Sequence, residues 1–265
     1  MIDYQQNGAI ARLTVNRADK KNAFTAAMWR ELLGHCQAVQ AALARGTADA
    51  PRVLLLQGQP GVFCAGADLQ EMTLLVQDPE ALAANNAVVT QAQLALENLP
   101  LPTLAVVDGP CFGGGFGLAA ACDFRIGSTR SRYAITPARL GLVYSLEDTR
   151  RVLRLLGDAR TRLMLLRSLQ LDAATALQWG VLDAVFEPAE LAAAATARAH
   201  ELALQSPTSM AGIKATLACL AHPCTPAVDA ARAQAIARAA CDAAFTGPDF
   251  AEGAAAFLAR RPPNF

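Results

Sequence analysis

Two short segments of small residues could bind a substrate oxygen through their backbone N–H groups. They are residues 63–69 (FCAGADL) and residues 112–117 (FGGGFG), and each follows a predicted strand and precedes a predicted helix. Small side chains let a ligand approach the backbone, and a helix N-terminus adds partial positive charge. The two segments together predict a site for an oxygen that gains negative charge during a reaction.

The sequence does not indicate a nucleotide-binding loop, a serine nucleophile, a disulfide framework or a cysteine-based metal site. The glycine-rich segment is not G-x-G-x-x-G, lacks the Lys-Ser/Thr of a phosphate-binding loop and contains no G-x-S-x-G. The seven cysteines show no C-x-x-C pair and no metal-finger spacing, so we expect reduced thiols, no disulfides and no metal site. Cys64 and Cys111 flank the two segments with no histidine near them in sequence, and we expect both to be packing residues.

The elements that position these segments follow from the hydrophobic pattern. Continuous apolar runs at 53–56 and 103–107 predict strands buried on both faces, and helical periodicity follows Thr25. Strands alternate with helices through the first three quarters of the chain, which predicts an α/β architecture with covered sheets. From Pro188 onward the pattern is helical and rich in alanine, so these helices are expected to pack on the core or on another subunit.

The amino-acid composition favours a small-molecule partner. The chain has 265 residues, 53% of them hydrophobic, and its 23 basic residues balance 23 acidic ones. A neutral protein exerts no long-range attraction on nucleic acid or on an anionic membrane, so a small-molecule partner is expected. No run of about eighteen apolar residues occurs, and the first residues do not resemble a signal peptide. We therefore expect a cytoplasmic protein.

The order of several short motifs resembles the crotonase superfamily, the enoyl-CoA hydratase and isomerase family, from end to end. These motifs are Asn16-Arg17 with Asn22-Ala23-Phe24, residues 63–69, residues 113–115, residues 121–126, Pro137 with Leu140-Gly141-Leu142, Ser206-Pro207 with Lys214, and residues 257–265.

The resemblance implies an α/β fold, a crotonase-type spiral of repeated ββα units with a C-terminal α-helical trimerisation region. The implied boundaries are 1–198 for the spiral core and 199–265 for the helical region. It also implies an acyl-CoA substrate, no cofactor apart from the CoA carried by that substrate, and assembly as a homotrimer or a dimer of trimers.

The resemblance assigns the site residue by residue. The N–H groups of Ala67 and Gly114 are expected to hold the thioester carbonyl as it becomes an enolate. Arg17 and Lys21, with the neighbouring Lys20, are expected to meet the phosphates of CoA. The other expected substrate contacts are Ala65, Asp68, Leu69, Gly113, Phe116 and Val143, although Asp68 is alternatively an acid at a turn or helix start. An apolar acyl pocket is expected at Met72, Leu75, Phe116 and Val143.

Two catalytic glutamates of the family's hydratases are replaced here, by Gly117 and Ala138. Neither residue can transfer a proton, so the usual route of hydration is not expected. Residues 136–144 resemble instead the family's methylmalonyl-CoA decarboxylases, with Tyr144 at the position of a tyrosine. Loss of CO₂ forms the thioester enolate directly and needs no carboxylate base, so the sequence favours decarboxylation of a malonyl-type CoA.

Alternatives remain open at this stage. Tyr144 is either an aromatic packed on the core or a phenol that orients or protonates the substrate. Glu147 and Asp148 are either carboxylates at the start of a helix, where Ser145 and Asp148 have the spacing of a capping box, or substitutes for the missing acids. The chain could also be a hydratase or isomerase that uses such an acid, or a non-catalytic acyl-CoA-binding subunit.

Overall fold

The fold is built around one large, mostly parallel sheet. The computed structural model describes residues 1–47 and 49–221, together with isolated positions between 235 and 264. The large sheet has the strand order β1-β2-β3-β4-β6-β9, in which only the β1–β2 pair is antiparallel. Its strands are β1 (Ile2–Asn7), β2 (Ile10–Val15), β3 (Val53–Gly58), β4 (Thr103–Val107), β6 (Phe124–Ser128) and β9 (Ala184–Phe186).

A second, smaller sheet lies beside the large one and has the order β5-β7-β8. Its strands are β5 (Pro110–Phe112), β7 (Arg132–Ala134) and β8 (Leu171–Asp172). The chain alternates between the two sheets, because β4 is followed by β5 and β6 by β7, with a helix before each return to the large sheet. This alternation produces the repeated ββα turns of a spiral and confirms the predicted α/β fold, whereas the trimerisation role of the C-terminal helices stays a prediction.

The helices cover both faces of the large sheet. They are α1 (Ala26–Arg45), α2 (Leu69–Leu75), α3 (Pro79–Glu97), α4 (Gly114–Ala121), α5 (Leu146–Leu166), α6 (Ala173–Gln178), α7 (Leu191–Ala203) and α8 (Pro207–Ala221). Every side chain of the run 53–56 is buried, as a strand covered on both faces requires. Leu54 and Leu56 face the core that contains α1 and α4, and Val53 and Leu55 face α7.

Helix boundaries follow local capping. Thr25 precedes α1 and accepts a hydrogen bond from the N–H of Met28, and Ser145 caps α5 in the same way through the N–H of Asp148. The sequence predicts that the helix after Ser145 ends near Leu156, and helical geometry is interrupted there, at Gly157 (φ 71°, ψ 172°). A second helical stretch, included in α5, continues to Leu166.

The expected domain boundary between residues 198 and 199 falls inside α7. One face of that helix, including Ala195 and Ala199, is buried against the large sheet, so residues on both sides of the expected boundary belong to the same core. Residues 222–234 lie outside the described residues, as does Phe265 of the motif at 257–265. In the part of the chain that the structure describes, no helix is long and apolar enough to cross a bilayer.

Candidate active site

Ala67 directs its backbone N–H toward the second glycine-rich segment. Phe24 donates its N–H to the carbonyl of Gly66 (2.8 Å) and accepts from the N–H of Asp68 (2.9 Å), which makes Ala67 the middle residue of a short parallel pairing. In such a pairing the middle residue points its N–H away from the partner strand. The N–H of Ala67 is therefore free on the side opposite Phe24.

Gly66 makes this arrangement possible. Its φ is +107°, which side chains rarely tolerate, and a β-carbon there would lie 3.1 Å from the carbonyl oxygen of Phe112 and 3.7 Å from the nitrogen of Gly114. Any other residue would push the two segments apart. Gly66 thus brings the chain that carries Ala67 against the chain that carries Gly114.

Gly114 is the first residue of α4, and its N–H belongs to the helix turn that has no intrahelical acceptors. A β-carbon on Gly114 would lie 3.9 Å from the nitrogen of Ala67, so the two N–H groups are neighbours. Among the described residues, neither N–H has a hydrogen-bond acceptor. The eight-residue helix adds partial positive charge at the same point. The arrangement can stabilise an oxyanion.

A cavity of about 440 Å³ opens at this pair of N–H groups. Lys20 and Ala23, from the turn after β2, contribute to its lining. Its described lining is Lys20, Ala23, Ala65, Gly66, Ala67, Asp68, Leu69, Gln70, Met72, Gly113, Gly114, Thr136, Pro137, Leu140 and Leu142.

Several residues predicted for the site lie on this cavity and others do not. Those on the lining are Ala65, Ala67, Asp68, Leu69, Met72, Gly113 and Gly114. Phe116 is buried in the core behind the cavity, in edge contact with Tyr133, and Val143 is 96% exposed. Leu142, its neighbour, lines the cavity instead. Lys20, and not Lys21, lines the cavity on the basic turn.

Arg17 differs most from the expectation. Its guanidinium lies 2.7 Å from the carboxylate of Asp68 and donates to the carbonyl of Ala23 at 2.9 Å, so it is engaged within the protein. The hydrogen bond from Arg17 keeps the pKa of Asp68 below its ordinary value. Asp68 also caps α2 by accepting from the N–H groups of Gln70 and Glu71. The ion pair thus fixes the position of Asp68, the residue that follows Ala67 in the chain.

Tyr144 lies behind the cavity. Its hydroxyl donates to the carbonyl oxygen of Gly113 at 2.9 Å, and the residue does not belong to the lining. Burial raises the pKa of the phenol well above its ordinary value, and the carboxylate of Asp148 raises it further. The phenol therefore remains protonated at neutral pH.

The space beside Gly117 is filled by another residue's carboxylate. A β-carbon at Gly117 would overlap Asp148 Oδ1 and would lie 2.8 Å from Gln93 Nε2. The sequence could not reveal this contact, because nothing in the residue types around Gly117 indicates which distant side chain fills the space. Gly117, the position expected for the first glutamate, thus has no free space beside it, and Ala138, the position expected for the second, is exposed on a short 3₁₀ turn.

Asp148 belongs to a buried network and not to the cavity lining. Its carboxylate accepts from Ser145 Oγ (2.9 Å) and pairs with Arg151 (3.0 Å), which also pairs with Glu97 at 2.7 Å. Burial raises the pKa of Asp148, and Arg151 opposes that shift. Glu147 pairs with Arg150 on the helix surface. Both carboxylates suggested as substitute acids are therefore engaged elsewhere.

The cysteines near the site are packed in the core. Cys64 and Cys111 are buried, and Cys64 pairs with Cys111 of β5 in an isolated parallel bridge. Burial raises the pKa of the Cys64 thiol to about 12 and the pKa of Cys111 well above its ordinary value. Neither thiol is activated as a nucleophile at neutral pH.

Comparison with known proteins identifies the family. A profile of the enoyl-CoA hydratase/isomerase family matches residues 5–265. The chain belongs to the enoyl-CoA hydratase/isomerase family. The resemblance to the crotonase superfamily in its sequence motifs is therefore confirmed.

Individual members of the enoyl-CoA hydratase/isomerase family differ in their named reactions. The enoyl-CoA isomerase/hydratase fer4 of Mycosarcoma maydis is 29% identical over 97% of this chain and 92% of its own length. The ethylmalonyl-CoA decarboxylase of Mus musculus is 31% identical over 70% of this chain and 55% of its own length. A solved enoyl-CoA hydratase/carnithine racemase from Magnetospirillum magneticum superposes with a TM-score of 0.89 at 28% identity, covering 100% of this chain and 94% of that one.

Proposed function

We propose that this family member binds an acyl-CoA thioester and stabilises its enolate with the N–H groups of Ala67 and Gly114. The observation that carries the proposal is the convergence of these two unpartnered N–H groups on one cavity. Removing one such donor typically lowers kcat by about 10²- to 10³-fold. We assign the contact with an anionic part of the substrate to Lys20, on the cavity lining.

We further propose that the reaction is decarboxylation of a malonyl-type CoA. The ionisable side chains on the described lining are Lys20 and Asp68, and the carboxylate of Asp68 is paired with Arg17. A cavity of this kind suits a reaction that needs no carboxylate base. Similarity to an ethylmalonyl-CoA decarboxylase supports the same assignment.

The proposed reaction breaks the bond between Cα and the carboxylate. The electron pair of that bond remains on the thioester and is delocalised onto the carbonyl oxygen, where the two N–H groups receive the negative charge. CO₂ leaves, and the enolate then takes one proton from water at Cα; the hydroxide that remains combines with the CO₂ to give bicarbonate. The product is an acyl-CoA shorter by one carboxyl group.

The proposal extends to assembly as a homotrimer or a dimer of trimers through a C-terminal helical region. Large apolar side chains are exposed on α8 and just before it, a pattern that favours burial against another surface. They are Leu204, Ile213, Leu217 and Leu220. Light scattering coupled to size-exclusion chromatography tests this assignment, and a monomer at micromolar concentration would contradict it.

Mass spectrometry of the protein incubated separately with methylmalonyl-CoA, malonyl-CoA and crotonyl-CoA tests the reaction. Gly114→Pro removes one N–H at the first helical position, where proline is well tolerated. Gly114→Ala is the matched control because it keeps the backbone N–H. Its β-carbon would lie 3.6 Å from the Trp29 side chain, which is an ordinary van der Waals contact. We expect loss of CO₂ with the wild type, strongly reduced in Gly114→Pro relative to Gly114→Ala.

Two other outcomes would each support a different function. Rapid hydration of crotonyl-CoA would contradict decarboxylation and indicate a hydratase, and Asp148→Asn would then show whether that buried carboxylate is the substitute acid. Tight binding of propionyl-CoA without turnover of any of the three thioesters would indicate an acyl-CoA-binding subunit.

A further inference from the structure

The hydroxyl of Tyr144 contacts the same peptide group that supplies one of the two oxyanion donors. It donates to the carbonyl oxygen of Gly113 at 2.9 Å. That carbonyl and the N–H of Gly114 belong to one planar peptide, and they point in opposite directions. Tyr144 therefore binds the carbonyl of a peptide whose N–H faces the cavity.

This peptide needs an external restraint. Gly113 has φ 50° and ψ −114°, a combination that only glycine adopts readily, so the rotation of the peptide about Gly113 is not limited by a side chain. The N–H of Gly113 is held by the carbonyl of Ala134 at 2.9 Å. On the other side, the carbonyl of Gly113 accepts from the N–H of Gly117 (3.1 Å) and from Tyr144.

Tyr144 is itself held in place. The next residue, Ser145, caps α5, and Asp148 in the first turn pairs with Arg151. Arg151 in turn pairs with Glu97 on α3. The start of α5 is thereby fixed to α3, and the phenol beside it has little freedom to turn toward a substrate.

We propose that Tyr144 is a positioning residue that orients and polarises the Gly113–Gly114 peptide through its carbonyl. A hydrogen bond at a peptide carbonyl strengthens the donor capacity of the N–H in the same peptide. In this role the phenol keeps its proton and does not deliver it to the substrate. The inference rests on the proposed function of Gly114 as an oxyanion donor.

Isotope-edited infrared spectroscopy of bound propionyl-CoA, labelled with ¹³C at the thioester carbon, tests this role without turnover. Hydrogen bonds to the carbonyl oxygen lower its stretching frequency. We expect the band to shift down on binding to the wild type and to shift clearly less in Tyr144→Phe. The Kd of propionyl-CoA should rise by about tenfold or less, the range expected for one weakened hydrogen bond.

Tyr133→Phe is the matched control. Tyr133 is a buried tyrosine whose hydroxyl donates to Ser131 Oγ at 3.0 Å and not to the Gly113–Gly114 peptide. We expect this variant to lose stability but to retain the wild-type carbonyl band.

The outcomes separate this inference from the proposed function. A wild-type band shift that persists in full in Tyr144→Phe would overturn the positioning role and leave the donors intact. Equal loss of the shift in both tyrosine variants would show a general structural effect and would also overturn it. A wild type that shows no shift, or does not bind propionyl-CoA, would overturn the proposed function itself.

Discussion

The ion pair between Arg17 and Asp68 makes a prediction that separates a structural role from a ligand-binding role. In this structure the guanidinium holds the carboxylate beside Ala67, whereas the sequence motif suggested a contact with the phosphates of CoA. Arg17→Met removes the charge and keeps an apolar side chain of similar reach. Lys21→Met removes an exposed charge from the same turn and serves as the matched control.

The expected loss of stability follows from the burial of the pair. The side chains of Arg17 and Asp68 are 25% and 9% exposed, between the limits of a surface pair, worth under about 1 kcal/mol, and a fully buried pair, whose disruption costs about 3–5 kcal/mol. Asp68 retains two backbone N–H donors in the variant. We therefore expect Arg17→Met to lower the free energy of unfolding by about 2 kcal/mol.

Urea unfolding and calorimetric titration with free CoA, which has no thioester carbonyl, provide the assay. We expect Arg17→Met to bind CoA within about twofold of the wild type, because the guanidinium is engaged by Asp68 and by the carbonyl of Ala23. The rate of the proposed decarboxylation should fall by about 10- to 100-fold, since the segment that carries Ala67 loses the ion pair that holds it. A tenfold weaker affinity for CoA with unchanged stability would refute this reasoning. It would instead indicate that Arg17 contacts the phosphates of CoA.

The same pair predicts a pH dependence. Because Arg17 lowers the pKa of Asp68 in the folded state, its contribution to stability is present above the unfolded pKa, about 4, and is lost as the pH falls through the folded pKa. The difference in unfolding free energy between wild type and Arg17→Met should therefore be constant above about pH 5. It should shrink as the pH falls further and Asp68 is protonated. A difference that widens in acid would contradict the assigned direction.

Further expectations concern the packing around the site. Gly117→Ala should lower the free energy of unfolding by about 1–3 kcal/mol in urea, because its β-carbon would overlap Asp148 and Gln93, and a neutral effect would contradict the filled space. Gly117→Glu should not create hydration of crotonyl-CoA, which spectrophotometry at the enoyl absorbance would detect. Peptide mapping after iodoacetamide treatment at pH 8 should show Cys219, which is partly exposed, alkylated well before Cys64, whose pKa is raised to about 12.

Much of the fold was predictable because its signals are local. The apolar runs of β3 and β4 and the cap at Thr25 are each contained in a few consecutive residues. The strands β5, β7 and β8 were not predicted, because two or three residues carry no period that could be recognised. Their existence depends on pairing between distant parts of the chain.

In the candidate site, too, the sequence predicts local features and not contacts between distant segments. The segments that carry Ala67 and Gly114 could be identified because small residues between a strand and a helix leave the backbone accessible. The orientation of individual side chains could not, because loops have no periodicity, and Leu142 lines the cavity where Val143 was expected. The partner of Arg17 was equally hidden, since an ion pair between distant segments leaves no mark in either one.

The most direct test of the oxyanion site is a crystal structure of the protein with propionyl-CoA, the product expected from methylmalonyl-CoA. The distances to be measured run from the thioester oxygen to the nitrogens of Ala67 and Gly114. We expect both to lie at about 2.7–3.1 Å. A thioester oxygen beyond about 4 Å from both nitrogens, with the ligand fully occupied, would contradict the account.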